Sequence, residues 1–281
     1  VAHILLVEDE RVTRRRIQKM LENAGYDVRC ATDGSEALEQ LDKGGIDLVL
    51  LDIWLPEMSG LDVLAKMKER ATRPKVVVMT ADDTPQTLLD AASREAYQYV
   101  PKPVEPTELL AIIDKALQKA DVSHPIRVLS ARPDWVELAV PCERDAVERI
   151  QSFLSHLDAD LEPAMRESIG RVFREMLLNA VEWGGQLDPK REVRVTYLRA
   201  KKMLMYRIAD PGEGFRLEEL EHAAVSNPED DPMGHMEARA DKGMRPGGFG
   251  ILMSRTLADE LIYNEARNEV VFIKYLDDSE D

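Results

Sequence analysis

The chain has 281 residues with 37 Lys and Arg against 53 Asp and Glu, a formal net charge of −16. Residues 1–122 carry −6 and the remainder −10, so neither part recruits nucleic acid through bulk charge, and no direct DNA binding is expected. The length suits two domains of ordinary size, read here as residues 1–122 and 123–281. The two cysteines, Cys30 and Cys142, have no metal-ligand spacing and fit a reducing cytoplasm. The longest apolar runs, such as Ile4 to Val7 and Val76 to Met79, are strand-sized. With no signal-peptide pattern either, a cytoplasmic protein without a membrane partner is expected.

In the first part short apolar runs alternate with amphipathic stretches. Strands are predicted at His3–Val7, Asp27–Cys30, Asp47–Leu51, Lys75–Thr80 and Tyr97–Val100. Helices are predicted at Arg11–Ala24, Ser35–Lys43, Leu61–Glu69, Pro85–Ala92 and Pro106–Lys119. The Arg14 to Arg16 run reads as one solvated helix turn. Strand and helix in repeated alternation imply a parallel sheet covered on both faces, a five-stranded, doubly wound α/β domain.

Such a sheet works at the carboxyl ends of its strands. Glu8 and Asp9 follow the first strand, Asp52 the third, Thr80 ends the fourth and Lys102 follows the fifth. Taken singly, each reads as a solvated surface group; together at consecutive strand ends they read as a site. Three carboxylates repel one another unless a cation lies between them, and oxygen ligands at that density suit Mg²⁺. Lys102 offers a compact positive charge, Thr80 a hydroxyl, and Asp52 a nucleophile that forms an aspartyl phosphate.

Residues 2–120 resemble the response-regulator receiver family. The likeness rests on Val-Glu-Asp-Glu at 7–10, Asp52 followed by Leu55-Pro56 and Gly60, Met-Thr-Ala at 79–81 and Tyr-Val-Pro-Lys-Pro at 99–103. The resemblance implies metal at Glu8, Asp9 and Asp52, phosphorylation of Asp52 by an upstream histidine kinase, and a switch in which Thr80 and Tyr99 move inward.

A joint is predicted at Asp121–Pro125, where Pro125 discourages a helix from resuming. Beyond it come a strand at Trp135–Val140 and helices near Arg144–Leu157 and Glu162–Trp183. Alternating runs follow at Glu192–Arg199 and Met203–Ala209, then a Gly-, Pro- and Asp-rich stretch from Ser226 to Gly250. A helix near Ile251–Ala258 and strands near Glu260–Tyr263 and Val270–Tyr275 close the chain. This less regular order fits an α/β sandwich, its sheet antiparallel or mixed, with helices on one face.

Three segments of this part carry chemistry. Glu175 and Asn179 share one helix face, so Asn179 can offer a carbonyl to Mg²⁺ and Glu175 can accept a proton from a hydroxyl. Asp210-Pro-Gly212-Glu-Gly214 follows a strand, where a carboxylate can accept a hydrogen bond from an exocyclic amine. Gly247, Gly248 and Gly250 open the next helix, where main-chain amides point at phosphates. In order and spacing the three resemble the N, G1 and G2 boxes of the GHKL ATPase family over residues 126–276.

That resemblance implies ATP as ligand, Mg²⁺ on Asn179, Glu175 as general base and Asp210 as the adenine reader. It also implies a pocket shaped by Gly212, Gly214, Gly248 and Gly250, and a lid over Leu217–Arg245. Trp183 stands where several relatives place His. The part lacks the paired helices and phosphoacceptor His of a histidine kinase, and among GHKL proteins it is most similar to the anti-sigma-factor serine kinases. The expectation is an ATP-dependent serine/threonine kinase acting on an antagonist or sigma-factor-like protein partner, with a homodimer also open. The alternative is a nucleotide-loaded, partner-binding switch without transfer chemistry.

Overall fold

The structure, a computed structural model, describes residues 1–68, 74–81, 84–118, 125–132, 134–216, 236 and 249–276. It divides into two compact units, Val1–Pro125 and Ile126–Asp281. Gly247, Gly248, most of the Asp121–Pro125 joint and the Leu217–Arg245 segment apart from Met236 lie outside the described residues. No described helix is long and apolar enough to cross a membrane.

The first unit is built on strands β1 (His3–Val7), β2 (Asp27–Ala31), β3 (Leu48–Asp52), β4 (Lys75–Thr80) and β5 (Gln98–Pro101). They pair in parallel in the order β2-β1-β3-β4-β5. Helices α1 (Arg11–Asn23), α2 (Gly34–Asp42), α3 (Gly60–Lys68), α4 (Pro85–Ser93) and α5 (Pro106–Gln118) connect and follow them. The central strand β3 is buried throughout, as its unbroken apolar run requires in a sheet covered on both faces. On one face Ile4, Leu6, Leu48, Leu50 and Val77 pack with Ile17 and Leu21 of α1 and Leu109 and Ile113 of α5. Local signals set the helix starts: Asp33 caps α2 through the Glu36 amide, and Thr84 caps α4 ahead of Pro85. Strand order reverses between β1 and β3, which opens a crevice beyond their carboxyl ends.

The second unit holds β6 (Arg127–Arg132), β7 (Trp135–Pro141), β8 (Glu192–Ala200), β9 (Met203–Ala209), β10 (Glu260–Tyr263) and β11 (Glu269–Tyr275). Their order is β10-β11-β9-β8-β7-β6, and every described pairing is antiparallel. Its helices among the described residues include α6 (Arg144–Leu157), α7 (Pro163–Asn179) and α8 (Gly250–Leu257). Strand β6 carries no clear sequence signal: it is an edge strand, exposed or half-buried along its length. The helix expected to run to Trp183 is α-helical only to Asn179; Ala180–Gly184 continue as a wider π turn closed by the Gly185 amide donating to the Ala180 carbonyl.

The core of this unit is aromatic, and the described residues buried in it include the charged Arg149 and Asp158. Phe272 stacks on Tyr206, Phe173 meets Tyr206 at a tilt, and Tyr197 meets Tyr206 edge to face. Both tyrosine hydroxyls donate to Asp158, at 3.0 Å from Tyr197 and 2.8 Å from Tyr206. Burial pushes the Asp158 carboxyl above the usual range, against those two bonds and nearby Arg199.

Candidate functional sites

At the carboxyl edge of the parallel sheet the residues predicted from strand ends converge. One carboxylate oxygen each from Glu8, Asp9 and Asp52 lies within 4.8 Å of the others. Lys102 reaches across from the end of β5, donating to Glu8 Oε2 at 2.5 Å and Asp52 Oδ2 at 2.6 Å. The Trp54 amide donates to Asp52 Oδ1 at 3.1 Å, so both oxygens of that carboxylate are oriented. Glu8, Asp52 and Thr80 are buried, and Asp9 is exposed at the mouth. The Lys102 amide donates to the Thr80 carbonyl at 2.8 Å and ties the ends of β4 and β5 together. Tyr99 is buried on β5.

Burial lifts the Glu8 carboxyl above the ordinary carboxylate range, with Lys102 pulling the other way. Burial also works against the Lys102 ammonium, but its bonds to Asp52 and Glu8 outweigh this and leave the lysine above its ordinary value. The three oxygens match the oxygen-ligand preference of a divalent cation such as Mg²⁺. Arg14 is a residue the sequence reading missed. It does not merely solvate a helix turn: Nη1 donates to the main-chain carbonyls of Glu8 and Asp9 at 2.7 and 2.8 Å and fixes the acidic loop. Its position five residues after Asp9 was the available signal.

The second unit contains a cavity of about 690 Å³ between α7, the π turn, β9, β10, β11 and the start of α8. Glu175, Asn179, Asp210, Gly212, Gly214 and Gly250 all line it, so these predicted residues meet in one place. Asp210 Oδ1 accepts the Gly212 amide at 2.7 Å, and burial raises this carboxyl above its usual range against that bond and Arg191. Two glycines make the close approach workable. A methyl at Gly184 would lie 2.0 Å from Asp210 Oδ1, and Gly214, at φ +92°, has the Ala266 carbonyl where a side chain would start.

Several residues of this cavity gave no sequence signal. Arg191 donates to the Pro211 carbonyl at 2.6 Å, and Asn268 to the Gly212 carbonyl at 2.9 Å. Together they brace the turn that presents Asp210. Phe215 meets Tyr263 edge to face on the cavity wall. Trp183, already set apart in the sequence because it stands where several relatives place His, is about half exposed and lines the cavity from the π turn. The volume, the inward carboxylate and the glycine-lined wall fit a purine nucleotide.

A parallel five-stranded sheet with an acidic, lysine-crossed crevice, joined to an antiparallel α/β unit with this cavity, defines a two-component response regulator with a kinase-type ATP-binding module. The chain belongs to that family: the response regulator receiver domain matches residues 4–114, and the histidine kinase-like ATPase domain matches residues 140–274. It is 41% identical over 117 residues to the uncharacterized transcriptional regulatory protein YkoG of Bacillus subtilis, which covers 42% of this chain and 51% of that protein. It is 31% identical over 224 residues to the transcriptional regulatory protein DltR of Streptococcus agalactiae, covering 77% of this chain and 98% of that protein. A solved CheY-like receiver from Methanospirillum hungatei is 29% identical with a TM-score of 0.41, covering 42% of this chain and 94% of that one. The chain spans about half or less of the length of the first curated relatives it matches.

Proposed function

We propose that the chain is a response regulator phosphorylated on Asp52 that governs an ATP-dependent serine/threonine kinase acting on a protein partner of the antagonist or sigma-factor type. The observation that carries the kinase half is the presence of Glu175, Asn179 and Asp210 on the wall of one cavity. In the receiver, the Asp52 carboxylate attacks the phosphorus of a phosphohistidine on an upstream histidine kinase, the P–N bond breaks and the imidazole leaves, and Lys102 sits where it can pair with the transferred anion. Thr80, at the end of β4, supplies the hydroxyl that the phosphoryl group draws in. Glu8, Asp9 and Asp52 would hold Mg²⁺ in this crevice, and Asn179 would hold it in the ATP site. Bound Mg²⁺ supplies neutralisation of phosphate charge.

In the ATP site Asp210 accepts a hydrogen bond from the adenine amine, and the phosphates lie toward Gly250 at the start of α8. A Ser or Thr hydroxyl of the partner attacks the γ-phosphorus, its bond to the β–γ bridging oxygen breaks, ADP leaves, and the hydroxyl proton passes to Glu175. The other reading, a nucleotide-loaded module that only holds its partner, is supported by Trp183 at the cavity wall in place of His.

Radiolabelled ATP with the bound partner, captured from native cytoplasm in both Asp52 states, separates the two. Kinase chemistry predicts label on partner Ser or Thr that Glu175→Ala abolishes while ATP binding persists. Unmodified protein that binds ATP and partner without transfer refutes the kinase and leaves the switch.

A further inference from the structure

Among the described residues that line the nucleotide cavity, the cations are Arg191 and Arg267, against the carboxylates of Glu175, Asp210, Glu213 and Glu269. Arg191 is committed, donating to the Pro211 carbonyl at 2.6 Å. Glu269 is committed too, held by Arg207 through two nitrogens at 2.7 and 2.6 Å. Arg267 is half-buried, yet among the described residues no hydrogen bond or ion pair holds its guanidinium. Taking a charge partly out of water without a partner is costly, and in a chain of net charge −16 carboxylates are plentiful. The missing partner is therefore sought in the ligand.

The backbone fixes where this side chain stands. Arg267 lies between β10 and β11 at φ +61°, a left-handed conformation that glycine takes freely and other residues seldom adopt. Its amide donates to the Asn264 carbonyl at 3.1 Å and closes the turn. The residues on either side are tied to the segment after Asp210. The Ala266 carbonyl accepts the Phe215 amide at 3.2 Å, and the Asn268 side chain donates to the Gly212 carbonyl at 2.9 Å. Glycine at 267 would hold the same turn with less strain. What arginine adds is its side chain, at a cost to folding that binding sites commonly carry.

The charge of Arg267 is felt inside the cavity. The Tyr263 phenol, pushed up to about 12 by burial, is pulled the other way by Arg255 and Arg267. That phenol donates to Met176 Sδ at 3.4 Å, on the stretch of α7 that carries Glu175 and Asn179. Arg191, by contrast, is the cation that acts on Asp210. The two arginines thus serve different ends of the cavity.

We propose that Arg267 takes the phosphate chain of the bound nucleotide, the planar fork of its guanidinium meeting two phosphoryl oxygens. This rests on the reading of the cavity as a nucleotide site and adds to that site a residue from the β10–β11 hairpin.

The test is equilibrium dialysis of the full chain against labelled adenosine, ADP and ATP with Mg²⁺, for the wild type and Arg267→Gly. Glycine removes the charge and suits the left-handed turn, so the variant is expected to unfold in urea near the wild-type midpoint. Its ADP and ATP affinities are expected to fall roughly 10- to 150-fold, as loss of a hydrogen bond to a charged group does, with adenosine held within about twofold. Should adenosine bind too weakly to compare, Arg267→Lys decides. ATP bound more tightly than by the glycine variant supports the contact, and ATP bound no more tightly overturns it. Unchanged ATP affinity in Arg267→Gly overturns the contact and leaves the nucleotide site standing. Adenosine weakened as much as ATP overturns it as well, since the side chain then only shapes the pocket. A wild-type chain that retains none of the three overturns the nucleotide site and this contact together.

Discussion

Replacing Gly184 by alanine tests the nucleotide cavity without touching any group assigned a chemical role. The added methyl would lie 2.0 Å from Asp210 Oδ1 and 2.5 Å from its Cβ. That is more than an ångström inside ordinary contact distance, so the Asp210 side chain has to swing away. Moving it breaks the 2.7 Å bond from the Gly212 amide and displaces the carboxylate meant to meet the adenine amine. A hydrogen bond to a charged group contributes about 1.5–3 kcal/mol, so losing the one to adenine weakens binding roughly 10- to 150-fold. Isothermal titration of the full chain with ATP and Mg²⁺ measures this, and urea unfolding followed by Trp135 and Trp183 fluorescence checks that the unit still folds. A folded Gly184→Ala chain that binds ATP within about twofold of wild type, well under the 1.4 kcal/mol of a tenfold change, would falsify the placement of adenine at Asp210.

Two further outcomes follow from the buried charges. Lys102→Met leaves the buried Glu8 and Asp52 carboxylates facing each other without their cation. Breaking such a pair from one side costs about 3 kcal/mol, read as a lower melting temperature of the receiver unit that added Mg²⁺ partly restores. An unchanged melting temperature contradicts the proposed cation site. Asp158 has a folded-state pKa raised by burial, so the folded chain holds its proton to higher pH than the unfolded chain does. Its contribution to stability is therefore most favourable below the unfolded pKa and falls as pH rises through the folded one. Asp158→Asn should flatten that fall in urea midpoints measured across the acid range; a steeper fall in the variant refutes the assignment.

The sequence by itself determined the receiver almost completely. Apolar runs of strand length alternating with helical periodicity admit one topology class, and in a parallel sheet strand ends gather on one edge. Glu8, Asp9, Asp52, Thr80 and Lys102 were therefore placeable before any coordinate. In the second unit Glu175 and Asn179 were legible because helical spacing sets them on one face, and Asp210 because it follows a strand before glycines. Tertiary structure decided the rest, because contacts distant in sequence leave no periodic trace. The edge strand β6, mostly exposed and without an apolar run, is paired only through β7. The π turn that aims Trp183 into the cavity, the bracing of Asp210 by Arg191 and Asn268, and the hold of Arg14 on the acidic loop all depend on backbone groups brought together by folding. So does the face of the sheet turned from the helices: alternation marks two sets of residues on each strand, but only the cross-strand register aligns Arg132, Trp135, Leu198, Met205, Ile273 and Glu260 into one row.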